Sequence, residues 1–302
     1  MFRFLEIFTL ACAIAWPLPV SAQLAPDLTP EEEEILEKLE DGTASIDEVG
    51  RQLSNPVGAV WNLVVQNNLS LNNGDLSSKD RVQWVTNLQP VLPIPLTERW
   101  NLITRPVISV VSAPIPTLSG FDRETGLGDM ALLNLLSPAD PRGLIWGAGS
   151  SLLFPTATDN DLGSEKFSMG PAAVGLFLNE KWVGGVLVQQ WWSVAGDDDR
   201  RRVSTMNLQY FLYRFLPNGW QVGLGGPVIS ANWAARDNDD RWTVPIGLGA
   251  SRTFRIGRLP FQMGFEASYA VVHPDNFGQR WNFRLTLKPV IPGLIQSPIF
   301  GR

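Results

Sequence analysis

Cysteine is nearly absent from these 302 residues; the one copy, Cys12, lies in the first apolar segment. Histidine is also single, at His273. A disulfide framework, thiol chemistry and a His/Cys metal site are therefore not expected. A hydrolytic nucleophile needs a base beside it, and His273 stands next to Pro274 at a strand end with no partner signalled, so an enzyme is set aside. No glycine-rich phosphate loop is present, and no cofactor is expected. Positive charge is not in excess: 24 Lys and Arg face 30 Asp and Glu, for a net charge of −6. Without a basic patch, nucleic acid is excluded as a partner. After the first segment, no apolar run reaches the ~20 residues that a membrane-spanning helix needs. A chain that enters a membrane without such a helix must do so as a closed barrel, since nothing else satisfies the backbone in lipid.

The first 22 residues read as a secretory signal: Arg3, an apolar run from Ile7 to Trp16, then Val20-Ser21-Ala22 as a cleavage site. Residues 23–56 differ in kind. Thr29-Pro30-Glu31-Glu32 starts one helix, with four acidic residues from Glu31 to Glu34 on its positive end. Ser45-Ile46-Asp47-Glu48 starts a second, with Ile46, Val49 and Leu53 on one face and Asn55-Pro56 as its stop. Two placements fit this segment: a solvated leader near a barrel mouth, or a plug inside the lumen. The first is the simpler reading.

What the chain has in abundance is alternation. From Trp182 to Phe215 a run of β-formers ends in Trp191-Trp192, a Gly/Asp/Arg loop follows, and a second run puts Met206, Leu208, Tyr210 and Leu212 opposite Asn207 and Gln209. Twelve such strands are expected, at about 58–68, 81–90, 99–111, 127–136, 143–154, 167–178, 182–194, 203–215, 220–232, 241–254, 259–272 and 280–288. Connections after odd strands are long and polar: 69–80, 112–126, 155–166, 195–202, 233–240 and 273–279. Those after even strands are mostly short, as in Asn179-Glu180-Lys181 and Pro217-Asn218-Gly219; the Pro-rich stretch 91–98 is the longest. Long loops at one end and short turns at the other are the mark of an outer-membrane barrel with both termini in the periplasm. Tryptophan follows the same division. Trp61, Trp100, Trp146, Trp182 and Trp220 fall near the expected periplasmic ends; Trp84, Trp191, Trp192, Trp233, Trp242 and Trp281 fall near the outer ends. Two aromatic girdles follow, because the indole prefers the water–lipid boundary.

The fold expected is therefore all-β: a transmembrane antiparallel up-and-down β-barrel of about twelve strands with a short helical N-terminal segment. The chain divides into 1–22 (signal), 23–56 (helical leader or plug), 57–288 (barrel) and 289–302 (tail). Alternation assigns Arg81, Gln83, Asn87, Gln89, Asn101, Arg105, Ser109, Gln262, Glu266, Ser268, Asn282, Arg284, Thr286 and Lys288 to the lumen. Val82, Trp84, Leu88, Leu102, Ile108, Met263, Phe265, Trp281, Phe283 and Leu285 face lipid. The strand at 127–136 does not sort: Asp129 and Asn134, five apart, share a face only across a bulge. Acidic loop tips at Asp159 and Asp161, at Asp197, Asp198 and Asp199, and at Asp237, Asp239 and Asp240 are weak candidates for a hard cation. The simpler reading is solvated tips sharing divalent ions with lipopolysaccharide.

Several phrases, in order, carry a resemblance: LSNPVGAVWNLVVQNN, NLQPVLPIPLTERWNLITRPVISV, GLGD, GLIWGAGSSLLFPTATD, WSVAGDDDR, WTVPIGLGAS and WNFRLTL. Together they resemble a family of bacterial outer-membrane proteins named for the meta-cleavage pathway of phenol degradation, whose members are often labelled "transporter" or, misleadingly, "neuromedin U". The resemblance spans about residues 50–290. It implies an outer-membrane barrel that moves small molecules. This chain departs from the family's usual ending, because 289–302 runs past the last strand. Its expected partners are outer-membrane lipid and lipopolysaccharide, the barrel-assembly machinery, and a small apolar or aromatic solute on a passive route. A structural barrel without an open pore, its lumen charges paired and its loops binding ions or a partner, is the competing expectation.

Overall fold

Alternating stretches cannot satisfy their backbone alone, and here each pairs with its sequence neighbour in antiparallel register. The computed structural model describes residues 38, 44–58, 60–141, 143–257, 259–291 and 299. Helix α1 (Ile46–Leu53) precedes fourteen strands: β1 (Asn62–Gly74), β2 (Ser77–Thr97), β3 (Trp100–Thr117), β4 (Gly120–Leu127), β5 (Met130–Pro138), β6 (Ile145–Phe154), β7 (Lys166–Leu178), β8 (Trp182–Gly196), β9 (Ser204–Phe215), β10 (Trp220–Gly223), β11 (Val228–Asn232), β12 (Trp242–Ile256), β13 (Leu259–Val272) and β14 (Gly278–Pro289). β4 and β5 are two halves of one wall position beside β3, and β10 and β11 are two halves of another between β9 and β12. β14 pairs with β1 through nine registered pairs from Val65↔Leu287 to Asn73↔Gly278, which closes the sheet into a twelve-stranded barrel. Closure leaves no edge strand to template aggregation.

The connections differ from expectation in one respect. Residues 69–80 and 112–126 are not loops. They are continuous strand around two tight turns, at Asp75-Leu76 and Leu118-Ser119. The Pro-rich stretch 91–98 is likewise strand to Thr97. Asn, Ser, Asp and Pro lower strand propensity, but β4 is exposed or half-buried throughout and tolerates them, while Ser70 and Asn72 are buried toward the lumen and bonded across strands. The stretches 155–165, 197–203 and 233–241 do lie outside the strands, and all these connections belong to one end of the barrel. The short turns belong to the other.

Each face has its own composition. Outward residues form an apolar band: Leu248 is 70 % exposed, Phe265 55 %, Ile246 56 % and Val186 46 %. A soluble monomer does not leave that much contiguous apolar surface bare. Inward, the wall is divided. Ile103, Leu133, Leu135, Val174, Leu176, Val183 and Leu187 bury each other on one side, over β3 and β5 to β8, joined by Val64 and Val91. This inner apolar core explains why 127–136 resists sorting. Leu133 and Leu135 point in and Leu132 and Leu136 point out, so both faces are apolar. Asn134 is on the outer face, where its Oδ1 accepts from Thr104 Oγ1 at 2.9 Å. Asp129 belongs to the break between β4 and β5. Its carboxylate accepts from Ser164 N (2.8 Å), Ser164 Oγ (2.7 Å) and Ala157 N (3.3 Å), tying the 155–165 connection to the wall.

Ser45 caps α1 by accepting from Glu48 N at 3.1 Å, as the capping signal requires. The helix lies against inward-facing residues at the short-turn end. Val49 and Leu53 are buried with Ala44, Val60 and the partly buried Val290, whereas Ile46, on the same predicted face, is 36 % exposed. Four polar ties fix it: Gly219 N to Asp47 Oδ1 (2.5 Å), Arg255 Nη2 to Ala44 O (2.6 Å), Ser54 Oγ to Gln221 Oε1 (2.9 Å) and Lys288 Nζ to Leu53 O (3.3 Å). The signal segment 1–22 and the helix expected from Thr29 lie outside the described residues. So does most of 289–302. Val290 bridges to Asn62, Ile291 N donates to Trp61 O at 3.0 Å, and Ile299 N donates to Pro95 O at 3.1 Å.

Candidate functional site

The lumen is the site. Inside the wall lies a cavity of about 840 Å³, lined from Leu53, Ser54 and Asn55 at the short-turn end to Phe277 and Gln279 at the long-loop end. Its walls follow from alternation: Gln66, Asn68 and Ser70 on β1, Gln83, Asn87 and Gln89 on β2, Gln262 and Glu266 on β13, Asn282, Arg284 and Lys288 on β14. Neutral amides and hydroxyls dominate and bond to one another across strands. Asn72 Nδ2 donates to Gln83 Oε1 (2.8 Å), Ser109 Oγ to Asn87 Oδ1 (2.8 Å), Gln89 Nε2 to Gln66 Oε1 (2.8 Å) and Ser70 Oγ to Asn282 Oδ1 (3.0 Å). Such rungs keep the inner face polar without fixing a charge on it.

Four charged side chains line the cavity among the described residues: Arg105, Glu266, Arg284 and Lys288. Glu266 and Arg284 are opposite each other on β13 and β14 and form a 3.1 Å ion pair. Glu266 also accepts from Tyr213 Oη at 2.5 Å and from Gly226 N at 3.3 Å. Arg284 donates through Nε to Asn68 Oδ1 (2.9 Å) and through Nη1 to Gly226 O (2.8 Å). Gly226 reaches them because the wall breaks between β10 and β11. Gly225, at φ +75°, turns the chain inward over β12, where Gly249 has no side chain; a Cβ there would meet Glu266 Cγ at 2.7 Å. On the β12 side Val244–Leu248 has no ladder partner in β10 or β11, and Tyr210 Oη bonds to Pro245 O at 2.8 Å from the outer face. Alternation predicts one strand over 220–232; Gly225-Gly226-Pro227 is the signal that marks the break.

The other residues singled out fall into different places. Arg81 lies at the long-loop end, its guanidinium 4.6 Å from the Phe121 ring and its Nε donating to Ser77 Oγ at 3.2 Å. Trp100, Trp146, Trp182, Trp192, Trp220, Trp242 and Trp281 alternate onto the outer face. Arg214 and Arg252 stack on Trp182 and Trp220 at 5.8 and 5.5 Å. Trp233 is in a connection, edge-on to Trp242 at 5.3 Å. Trp191 is a correction: it is 7 % exposed and lines the lumen, because consecutive strand residues take opposite faces and Trp192 has the outer one. Trp61 also differs, being buried with its Nε1 donating to Pro93 O at 2.8 Å. Asp197 accepts from Asp199 N at 2.8 Å and shapes its own turn. Among the described residues, no three His, Cys, Asp or Glu gather as metal ligands. His273 Nδ1–H donates to Pro274 O at 2.9 Å, and its Nε2 accepts from Arg280.

No protein-family model matches the chain, and no curated protein matches it. Among solved structures it is similar to the COG4313 outer membrane channel from Pseudomonas putida F1, at a TM-score of 0.58 and 21 % identity over 77 % of this chain and 95 % of that one. Looser matches are the NanC porin (0.44, 8 % identity, 76 % and 99 %) and the β domain of the Bordetella autotransporter BrkA (0.45, 13 % identity, 77 % and 100 %). The first likeness is one of fold, the same barrel over nearly the whole length of that protein.

Proposed function

We propose that this chain is an outer-membrane barrel offering small, largely apolar or aromatic molecules a narrow passive route. The observation that carries the proposal is the 840 Å³ cavity, lined from one end of a closed wall to the other. Its width suits a narrow route, since eight strands are filled by side chains and ~16 leave a wide aqueous channel. The apolar outer band and the tryptophans at strand ends suit a bilayer. The likeness to an outer-membrane channel and the resemblance to the phenol-degradation family agree with this reading. The long-loop end then faces the outside and its acidic tips meet lipopolysaccharide, while both termini are periplasmic. Helix α1, docked on the inner wall, narrows the periplasmic mouth as a partial plug.

The second reading, a structural barrel with no open pore, draws on the Glu266–Arg284–Tyr213–Gly226 network, which ties four wall positions together inside the lumen. Planar-bilayer recording separates the two. Passage predicts small discrete conductance steps from the full-length protein and larger ones after residues 44–55 are deleted. Silence from both, with no uptake of phenol-like solutes into liposomes, overturns passage in favour of the structural reading.

A further inference from the structure

We infer that the lumen contains a subsite for a small anion, a carboxylate carried on an apolar or aromatic body, held by Arg105 and Lys288. The inference names the solute class for the route proposed above and in that sense rests on it. Three cations and one carboxylate line the cavity, a net charge of +2. The carboxylate is spent: Glu266 takes the Arg284 guanidinium, the Tyr213 hydroxyl and the Gly226 amide. Arg284 is spent with it, on Glu266, Asn68 and Gly226 O. The other two cations form no salt bridge among the described residues. Arg105 has a buried Nε with no protein hydrogen-bond partner. Lys288 donates to a neutral carbonyl, Leu53 O, at 3.3 Å, and feels the already engaged Glu266 carboxylate as well as the Arg105 and Arg284 cations. Net positive charge in a lumen is costly until a counter-anion enters it.

The surroundings set the rest of the solute. Arg105 stands directly opposite Leu133 in the β3–β5 ladder, beside the inner apolar core that also holds Ile103 and Leu187. Phe211, packed on that core, also lines the cavity. A guanidinium at the border of an apolar wall takes a planar carboxylate through paired N–H donors while the wall takes the carbon body. The rest of the lining is neutral, part amide and hydroxyl and part apolar, and adds no charge to the two cations. Arg81, shielded by Phe121 at the mouth, is not part of the subsite.

The test uses the full-length protein in detergent micelles, with benzoate and its uncharged counterpart benzyl alcohol as probes in titration calorimetry. Benzoate is expected to bind at least about tenfold more tightly, the lower end of what charge-assisted hydrogen bonds confer. Arg105→Gln and Lys288→Met should each remove most of that preference, while Arg81→Gln leaves it intact. Heat-dependent gel mobility identifies variants that have folded. Equal affinity for the two probes in the unaltered protein overturns the subsite without recourse to any variant. So does a preference that survives Arg105→Gln in a folded barrel. Reversal potentials across a tenfold KCl gradient add a second reading: a conducting barrel should favour chloride, and a preference for potassium overturns the inference. Silent bilayers with benzoate preference intact would refute passage and support the subsite, whereas conduction with equal probe affinity would refute the subsite alone.

Discussion

Breaking the Glu266–Arg284 pair should cost more than any other single polar change in the lumen. The two side chains are 18 % and 11 % exposed and 3.1 Å apart. Removing one partner of a buried pair costs about 3–5 kcal/mol, because the other is left charged and unpaired. The lumen is wetter than a protein core, so Glu266→Met is expected at the low end, about 3 kcal/mol. That change also leaves the Tyr213 hydroxyl without its 2.5 Å acceptor and Gly226 N without its 3.3 Å one. Arg284→Met strips donors from Asn68 and Glu266 and should cost a similar amount. The double variant removes both charges and should lose less than the sum, with a coupling energy of about 2 kcal/mol. The assay is equilibrium urea unfolding of the barrel in liposomes, followed by tryptophan emission for the parent, both single variants and the double. A coupling below about 0.5 kcal/mol would refute the reasoning, since it would mean that water screens the pair as it screens a surface bridge.

Four smaller expectations follow from other contacts. Val49→Asp puts a charge where Val49 is 2 % exposed; it should release α1 from the inner wall and raise bilayer conductance, and unchanged step size with a folded barrel would deny the helix any part in narrowing the mouth. Tyr210→Phe removes the 2.8 Å bond to Pro245 O beside the β10–β11 break and should cost about 1 kcal/mol in the same urea assay. Asp129→Ala frees three donors of the 155–165 connection and should make Lys166 a trypsin site in folded protein, which digestion followed by mass spectrometry would show. Brominated lipid chains should quench Trp192 and spare Trp191, read as the difference between Trp192→Phe and Trp191→Phe; equal quenching of the two variants would place both rings on one face.

Legibility in the sequence depended on whether the two faces of a strand differ. On β14, Trp281, Phe283 and Leu285 alternate with Asn282, Arg284 and Thr286, and the period-two rule assigns every one. On β5 both faces are leucine, one toward the bilayer side and one toward the inner core, so the rule has nothing to read. Composition alone places both Trp191 and Trp192 in a girdle, but neighbours on a strand must part, and only Trp192 takes the outer face. The hairpins at 69–80 and 112–126 resemble loops in their Asn, Ser and Pro, but polar residues also mark a lumen face, as Ser70 and Asn72 do, or a strand bathed by solvent, as β4 is.

The candidate site was half legible for a related reason. Alternation says which residues point inward, but not which of them meet. That Glu266 and Arg284 share a rung depends on β13–β14 register, and that Gly226 joins them depends on a break in a strand two positions away. Pairing then decides the chemistry. Five charges that alternation assigns alike to the lumen become one neutral network, one mouth residue stacked on Phe121, one lysine bonded to Leu53 O, and one arginine with an unpartnered Nε beside an apolar wall. The last stands at the junction of the two inner surfaces, amide on one side and leucine on the other. A barrel this narrow must fill or wet its interior, and this one fills the β3–β8 side with apolar side chains and lines the rest with amides. A solute matched to both surfaces needs a polar head and an apolar body. The cation at their border makes that head an anion.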